Sequence, residues 1–199
     1  MNLKNILSIL VFSFSIALAG QEQKRPDIIQ LDSTWGKELF SFPIGFAQEI
    51  KYEGFEEARF PKGWNKIESP YFWTYTFAWK LDKEKFLSAH DLEVAMQFYF
   101  NGVMSLDIER KTYPDIQNSA AVFLEKESTA QSSKLIGKIK TWDHFTTKKP
   151  ITLNVQVEQS YCTEQNKLIV LFRFSPKPFE DELWQSFGTI TLKKDACQH

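Results

Sequence analysis

From Trp73 to Leu81 the chain alternates strictly, with Trp73, Tyr75, Phe77, Trp79 and Leu81 on one side and Thr74, Thr76, Ala78 and Lys80 on the other. Successive side chains on a strand point to opposite faces, so this spacing predicts a half-buried strand whose five large residues require a covering layer. Ile151 to Glu158 repeats the pattern, with Ile151, Leu153, Val155 and Val157 inward. Lys167 to Phe174 is almost continuously apolar, which predicts a central strand covered on both faces. The polar stretch Ser160 to Asn166 between them reads as a hairpin loop. Weaker strand signals fall at Glu38–Pro43, Glu49–Tyr52, Ala120–Glu125, Leu135–Trp142 and Gly188–Leu192. Together they predict a mainly antiparallel sheet.

The main helix is expected from Ser88 to Met104. Ser88 and Asp91 form an S-x-x-D capping box, and Leu87 and Leu92 occupy the positions of a hydrophobic staple. Leu92, Ala95, Met96, Tyr99, Phe100 and Val103 then recur at helical spacing, while Gly102 weakens the last turn. A shorter helix is expected at 178–187, with Phe179, Leu183 and Phe187 on one face. The expected fold class is therefore α+β, a twisted antiparallel sheet with the main helix packed on one face and the short helix near the C-terminus. The alternative is a β-sandwich or open barrel with an appended helix. Sixteen of the 18 Phe and all six Trp follow residue 19, enough large rings for one core, and residues 20–199 read as a single domain.

Residues 1–19 read as a secretory signal peptide: Lys4 supplies charge, Ile6 to Leu18 an apolar run, and Ala17-Leu18-Ala19 a cleavage site. The run is about 13 residues, short of the roughly 20 a bilayer span needs. Gly20 and Gln21 follow the cut where a lipoprotein needs cysteine, so no lipid anchor is expected. The expected product is soluble and exported, periplasmic or extracellular, with no membrane span after cleavage. Met1–Ala19 carries one of the 24 basic residues and none of the 25 acidic ones, which leaves a net charge of −2 and no basic stripe for nucleic acid. Cys162 and Cys197 make an even count in a chain bound for an oxidising compartment, and a disulfide between them is expected, with two free thiols as the alternative. In the chain-entropy model, a loop of about 35 residues contributes roughly 4 kcal/mol. No metal site and no cofactor are expected.

Chemistry-bearing motifs are sparse. The chain lacks a G-x-S-x-G elbow, an H-E-x-x-H zinc helix, a P-loop and a G-x-G-x-x-G turn. Its three histidines are His90, at the start of the main helix, His144, next to Asp143, and the terminal His199. The stretch from Glu53 to Tyr71 concentrates charge and aromatics between two expected strands, and Glu56, Glu57, Arg59 and Trp64 are the candidate ligand-binding residues. In a pocket the carboxylates would bind hydroxyls or do acid–base work while the indole stacks on a sugar or another flat group. The competing reading tucks Phe55, Phe60 and Trp64 under a long connection and leaves Glu56, Glu57 and Arg59 in solvent or paired.

Phe46-Ala47-Gln48-Glu49-Ile50, Glu53 to Phe60, Gly63-Trp64, Phe72-Trp73-Thr74-Tyr75 and Phe172 to Trp184 resemble an uncharacterised family of exported bacterial proteins. The resemblance implies export and carries no activity, cofactor or functional residue. The order of strands, helix, strands, short helix and strand is also similar to small α/β/α sandwiches of the PsbP type, a likeness of fold alone. The function expected is binding of a small ligand or an envelope component without catalysis. The alternatives are a secreted hydrolase using the carboxylates of 53–71, helped by Arg59 or His144, and an aromatic-platform sugar-binding module on Trp64.

Overall fold

The computed structural model describes residues 26–31 and 34–198; the signal peptide expected at Met1–Ala19 and the terminal His199 lie outside them. Seven strands form one open antiparallel sheet in the order β2 (Gly36–Ser41), β3 (Gly54–Phe60), β4 (Tyr75–Leu81), β8 (Lys167–Ser175), β7 (Pro150–Cys162), β6 (Ser132–Trp142) and β5 (Ala120–Ser128). The sheet stays open and forms no closed barrel. A two-stranded antiparallel pair, β1 (Ile29–Gln30) with β9 (Thr191–Leu192), lies apart from it in hydrogen bonding. The described residues also form three helices: α1 (Ala89–Val103), α2 (Leu106–Glu109) and α3 (Leu183–Phe187).

The central strand β4 is buried along its whole length, and β8 at every residue after Lys167. On one face Phe77, Trp79, Phe172 and Phe174 pack against Leu92, Met96, Tyr99 and Phe100 of α1. On the other, Ala78, Ile169 and Leu171 pack against Ile28, Ile29, Trp184, Phe187, Ile190 and Ala196. The half-buried reading of 73–81 is thus corrected: its Thr–Thr–Ala–Lys face lies under a second layer made by the two chain ends. Its polar atoms are paired there, with Thr76 Oγ1 donating to the Phe172 carbonyl (2.6 Å) and Lys80 Nζ to the Ala196 carbonyl (2.9 Å). The strand also begins two residues late, because Trp73 has φ 52° and leaves the extended region.

Other boundaries shift for local reasons. Glu49–Tyr52 forms no strand; the segment around it sinks Ile44, Ala47 and Ile50 into the α1-side core. The hairpin between β7 and β8 is tighter than expected, since Cys162 pairs with Lys167 and only residues 163–166 turn. The helix expected at 178–187 is confined to Leu183–Phe187: a turn closes from the Asp181 amide to the Pro178 carbonyl, and Asp181 Oδ1 then accepts the Leu183 amide. The strand signal at 188–192 shrinks to Thr191–Leu192.

Gly102 has a role its helix propensity hides. A Cβ there would stand 1.7 Å from the Phe46 carbonyl oxygen, so the glycine lets the 42–50 segment lie directly on α1. A disulfide joins Cys162 to Cys197, with Cα atoms 5.4 Å apart, and fastens the C-terminal tail to the end of β7. Among the described residues no helix is long and apolar enough to cross a membrane.

Two expectations follow. Gly102→Ala would stabilise α1 by about 1 kcal/mol on propensity alone, but overpacking against Phe46 costs about 1–3 kcal/mol, so urea unfolding will show a net loss. Replacing Cys162 and Cys197 together by serine lowers stability by up to about 4 kcal/mol, read from the same curves, and deprotects the amides of residues 190–197 first in hydrogen exchange.

Candidate functional site

Three of the four sequence-predicted site residues lie on a strand rather than a connection. Glu56, Glu57 and Arg59 belong to β3, paired between β2 and β4. Adjacent strand residues face opposite ways, so Glu56 points to the α1 side and Glu57 to the layer of chain ends, and each is fully buried. Glu56 accepts hydrogen bonds from Trp79 Nε1 (2.7 Å) and Tyr99 Oη (2.8 Å). Burial pushes its pKa up to about 7; these two hydrogen bonds oppose the rise and the nearby Glu38 carboxylate adds to it. Glu57 accepts the backbone amides of Ile28 (2.6 Å) and Ile29 (3.3 Å) and the Arg59 Nε (2.6 Å). Arg59 reaches on to Asp27 at 3.0 Å. These carboxylates share no cleft; they fasten layers together.

Trp64 is different. With Phe60, Trp73, Tyr75, Tyr99 and Phe145 it lines a cavity of about 160 Å³ at the end of β3 and β4. Its ring stands 5.1 Å from Phe60 and 5.7 Å from Phe145. Glu38 is the only charged residue of the lining.

A larger recess lies elsewhere, and no sequence motif pointed to it. A groove of about 640 Å³ opens between the loop after α2 and the ends of β6 and β7, lined by Tyr113, Ile116, Gln117, Asn118, Lys140 and Trp142 among others. Its volume falls in the range of small-molecule sites. Tyr113 and Trp142 meet in a tilted pair with centroids 5.1 Å apart. Arg110 shapes the loop, donating from Nε to the Ile116 carbonyl (3.0 Å) and from its second terminal nitrogen to Asn118 Oδ1 (2.5 Å).

Behind the indole stands a polar cluster. Trp142 Nε1 donates to Glu109 Oε2 (3.1 Å), while Lys148 Nζ donates to Glu109 Oε1 at 3.0 Å and His144 Nδ1 lies 2.8 Å from the same oxygen. Hydrogen bonding to Lys148 holds the Glu109 carboxyl below the usual carboxylate range, helped by Trp142 and His144 against the opposing effect of burial. A carboxylate accepts only, so in this contact His144 Nδ1 is the donor to Glu109. Asp143 takes no part in a dyad with His144. It is buried and accepts the amides of Phe145, Thr146 and Thr147, so it builds the loop that carries His144. His90 sits exposed at the start of α1. Among the described residues, no group of three or more His, Cys, Asp or Glu is placed to hold a metal ion.

The structure therefore brings Glu56, Glu57, Arg59 and Trp64 into no common site. A faint signal for the groove does exist in Tyr113-Pro114-Asp115, a solvent-side aromatic in a turn sequence, but Trp142 reads simply as the end of a strand. Comparison with protein-family models, curated proteins and solved structures finds no match for the chain.

The position of Glu56 generates a pH dependence. A carboxyl whose folded-state pKa lies near 7, above an ordinary value of 4.5, binds its proton more tightly when folded. Its contribution is full below pH 4.5 and is lost as pH rises through 7. Relative to Glu56→Gln, the wild-type protein will lose on the order of 3 kcal/mol of stability between pH 4.5 and 8, measured by urea unfolding across that range. Parallel pH profiles for the two proteins would show that Glu56 ionises normally in the core.

Proposed function

We propose that the protein is exported and works by binding, taking a saccharide-sized ligand into the groove that Tyr113 and Trp142 line together, with one sugar ring laid on the indole. The observation that carries this reading is the fixed orientation of Trp142. Its N–H is bonded to Glu109, which is itself held by Lys148 and His144, so the ring is set before any ligand arrives. A preset ring gives up little freedom on binding. The surroundings suit a polyol: Gln117 and Asn118 offer amide donors and acceptors beside the rings, and Lys140 adds one cation. The aromatic-platform idea thus moves from Trp64 to Trp142. Export rests on the A-x-A-terminated apolar leader and agrees with the Cys162–Cys197 disulfide.

A hydrolytic reading has one observation in its favour, the His144 imidazole held at Nδ1 by Glu109, the same carboxylate that holds the Trp142 indole of the groove. It differs from the hydrolase expected at 53–71, whose carboxylates are committed to Trp79, Tyr99, the Ile28 and Ile29 amides and Arg59.

Thermal-shift and calorimetric titration of the mature protein with cello-, malto- and N-acetylglucosamine oligosaccharides tests the proposal. At least one series will raise Tm and return a measurable Kd. Trp142→Ala will weaken binding at least about tenfold, or roughly 1.4 kcal/mol, whereas Trp142→Phe, which keeps a ring but loses the Glu109 bond, will fall between. No shift with any sugar at tens of millimolar would sink the saccharide reading. Shortened oligosaccharides in a chromatographic time course, abolished by His144→Gln, would replace binding with hydrolysis.

A further inference from the structure

We propose that the cavity beside Trp64 is a second, separate binding site, built for a small organic cation of the alkylammonium class. It shares no lining residue with the Tyr113–Trp142 groove, so the failure of one reading leaves the other standing.

The wall of this cavity is made of rings. Trp64 and Trp73 meet edge to face with centroids 5.9 Å apart, and Phe145 closes on both at 5.7 and 5.8 Å. Phe60 stacks on Tyr75 at 5.6 Å. Ring faces carry negative electrostatic potential, and several rings around one cavity attract a cation whose hydration is weak. The charge of the site has the same sign. Glu38 is the one charged side chain in the lining, on the α1 side of edge strand β2 where solvent reaches it. Its carboxylate is felt inside, because it helps to raise the pKa values of Tyr99 in the wall and of Glu56 behind it. With no lysine or arginine among the described residues of the lining, the field favours a cation and opposes an anion.

Polar capacity is left over as well. Trp73 is buried, and its Nε1 has no hydrogen-bond partner among the described residues. Buried donors are nearly always paired, and this one belongs to a residue of the cavity wall, so a ligand in the cavity is the candidate for its missing partner. A ligand joining an ammonium head to a hydroxyl or carboxylate oxygen would answer both the rings and this donor. At about 160 Å³ the cavity admits a head group rather than a chain, and Glu38 leaves its mouth charged for the approach.

Calorimetric titration of the mature protein with tetramethylammonium, choline and the neutral isostere of choline, 3,3-dimethyl-1-butanol, tests this directly. The expected result is binding of both cations with choline tighter, at least tenfold weaker binding of the isostere, and weakening at raised ionic strength. Glu38→Gln lies at an exposed position and will cut cation affinity several-fold without altering the fold. Trp64→Ala will abolish binding; if it fails to fold, Phe145→Leu, at a side chain nearly half exposed, carries the test and will weaken binding at least fivefold. Equal affinity for choline and its neutral isostere would overturn the proposal in favour of a merely apolar cavity. No heat from any of the three at tens of millimolar, or cation binding unchanged in both Glu38→Gln and Phe145→Leu, would overturn it outright.

Discussion

Two adjacent carboxylates on β3 hold the layers of this protein together. Because neighbouring strand residues face opposite ways, Glu56 and Glu57 each enter a different side of the sheet, and each finds donors from a different part of the chain. Glu56 ties the sheet to α1 through Tyr99 and orients the Trp79 indole in the core. Glu57 takes two backbone amides of the N-terminal segment and an arginine on its own strand, and so docks residues 28 and 29 over Ala78 and Leu171. The two solve desolvation differently: Glu57 keeps a guanidinium beside it, whereas Glu56 has neutral donors only and retains a proton up to near neutral pH. Removing the partners of such a buried charge costs more than the pair ever contributes, because the charge is left without water or counter-ion.

The same pair explains why β3 was illegible as a strand. Glu-Glu-Ala-Arg has the composition of a solvated loop, and neither alternation nor β propensity marks it. What makes it a strand is tertiary: Trp79, Tyr99 and the amides of residues 28 and 29 come from distant parts of the chain. Strands with a pattern of their own needed no such help: the alternation at 151–158 and the apolar run at 167–174 become the antiparallel pair β7 and β8. Where alternation misled was on the second face of 73–81. Threonine, alanine and lysine there look outward, and nothing local reveals that the chain ends return to cover them.

The site was less legible than the fold for the same reason. Trp64 and Phe145 stand 81 residues apart in sequence and touch, while Trp142 gains its meaning only from Glu109, whose own helix α2 is four residues long. Aromatic residues in a chain with this many rings carry no individual signal, since most of them build core. The recesses arise at the end of the sheet, where strands run out of partners and loops must cap them. Binding surfaces collect at such positions because loops there can vary while the strands beneath stay fixed.

One loop supports both recesses. Asp143, buried at the end of β6, gathers the amides of residues 145, 146 and 147 and the Thr147 hydroxyl, which fixes the backbone of a turn that would otherwise leave donors unpaired. From that turn Phe145 leans toward Trp64 and Trp73, while His144 and Lys148 reach Glu109 and through it set the Trp142 indole. Both recesses thus draw on one anchored turn, the first through Phe145 and the second through His144 and Lys148. A sheet end that presents two differently shaped and differently charged surfaces is thus achieved with one anchored turn, and the chemistry each surface can recognise is decided by which side chains that turn projects to either side.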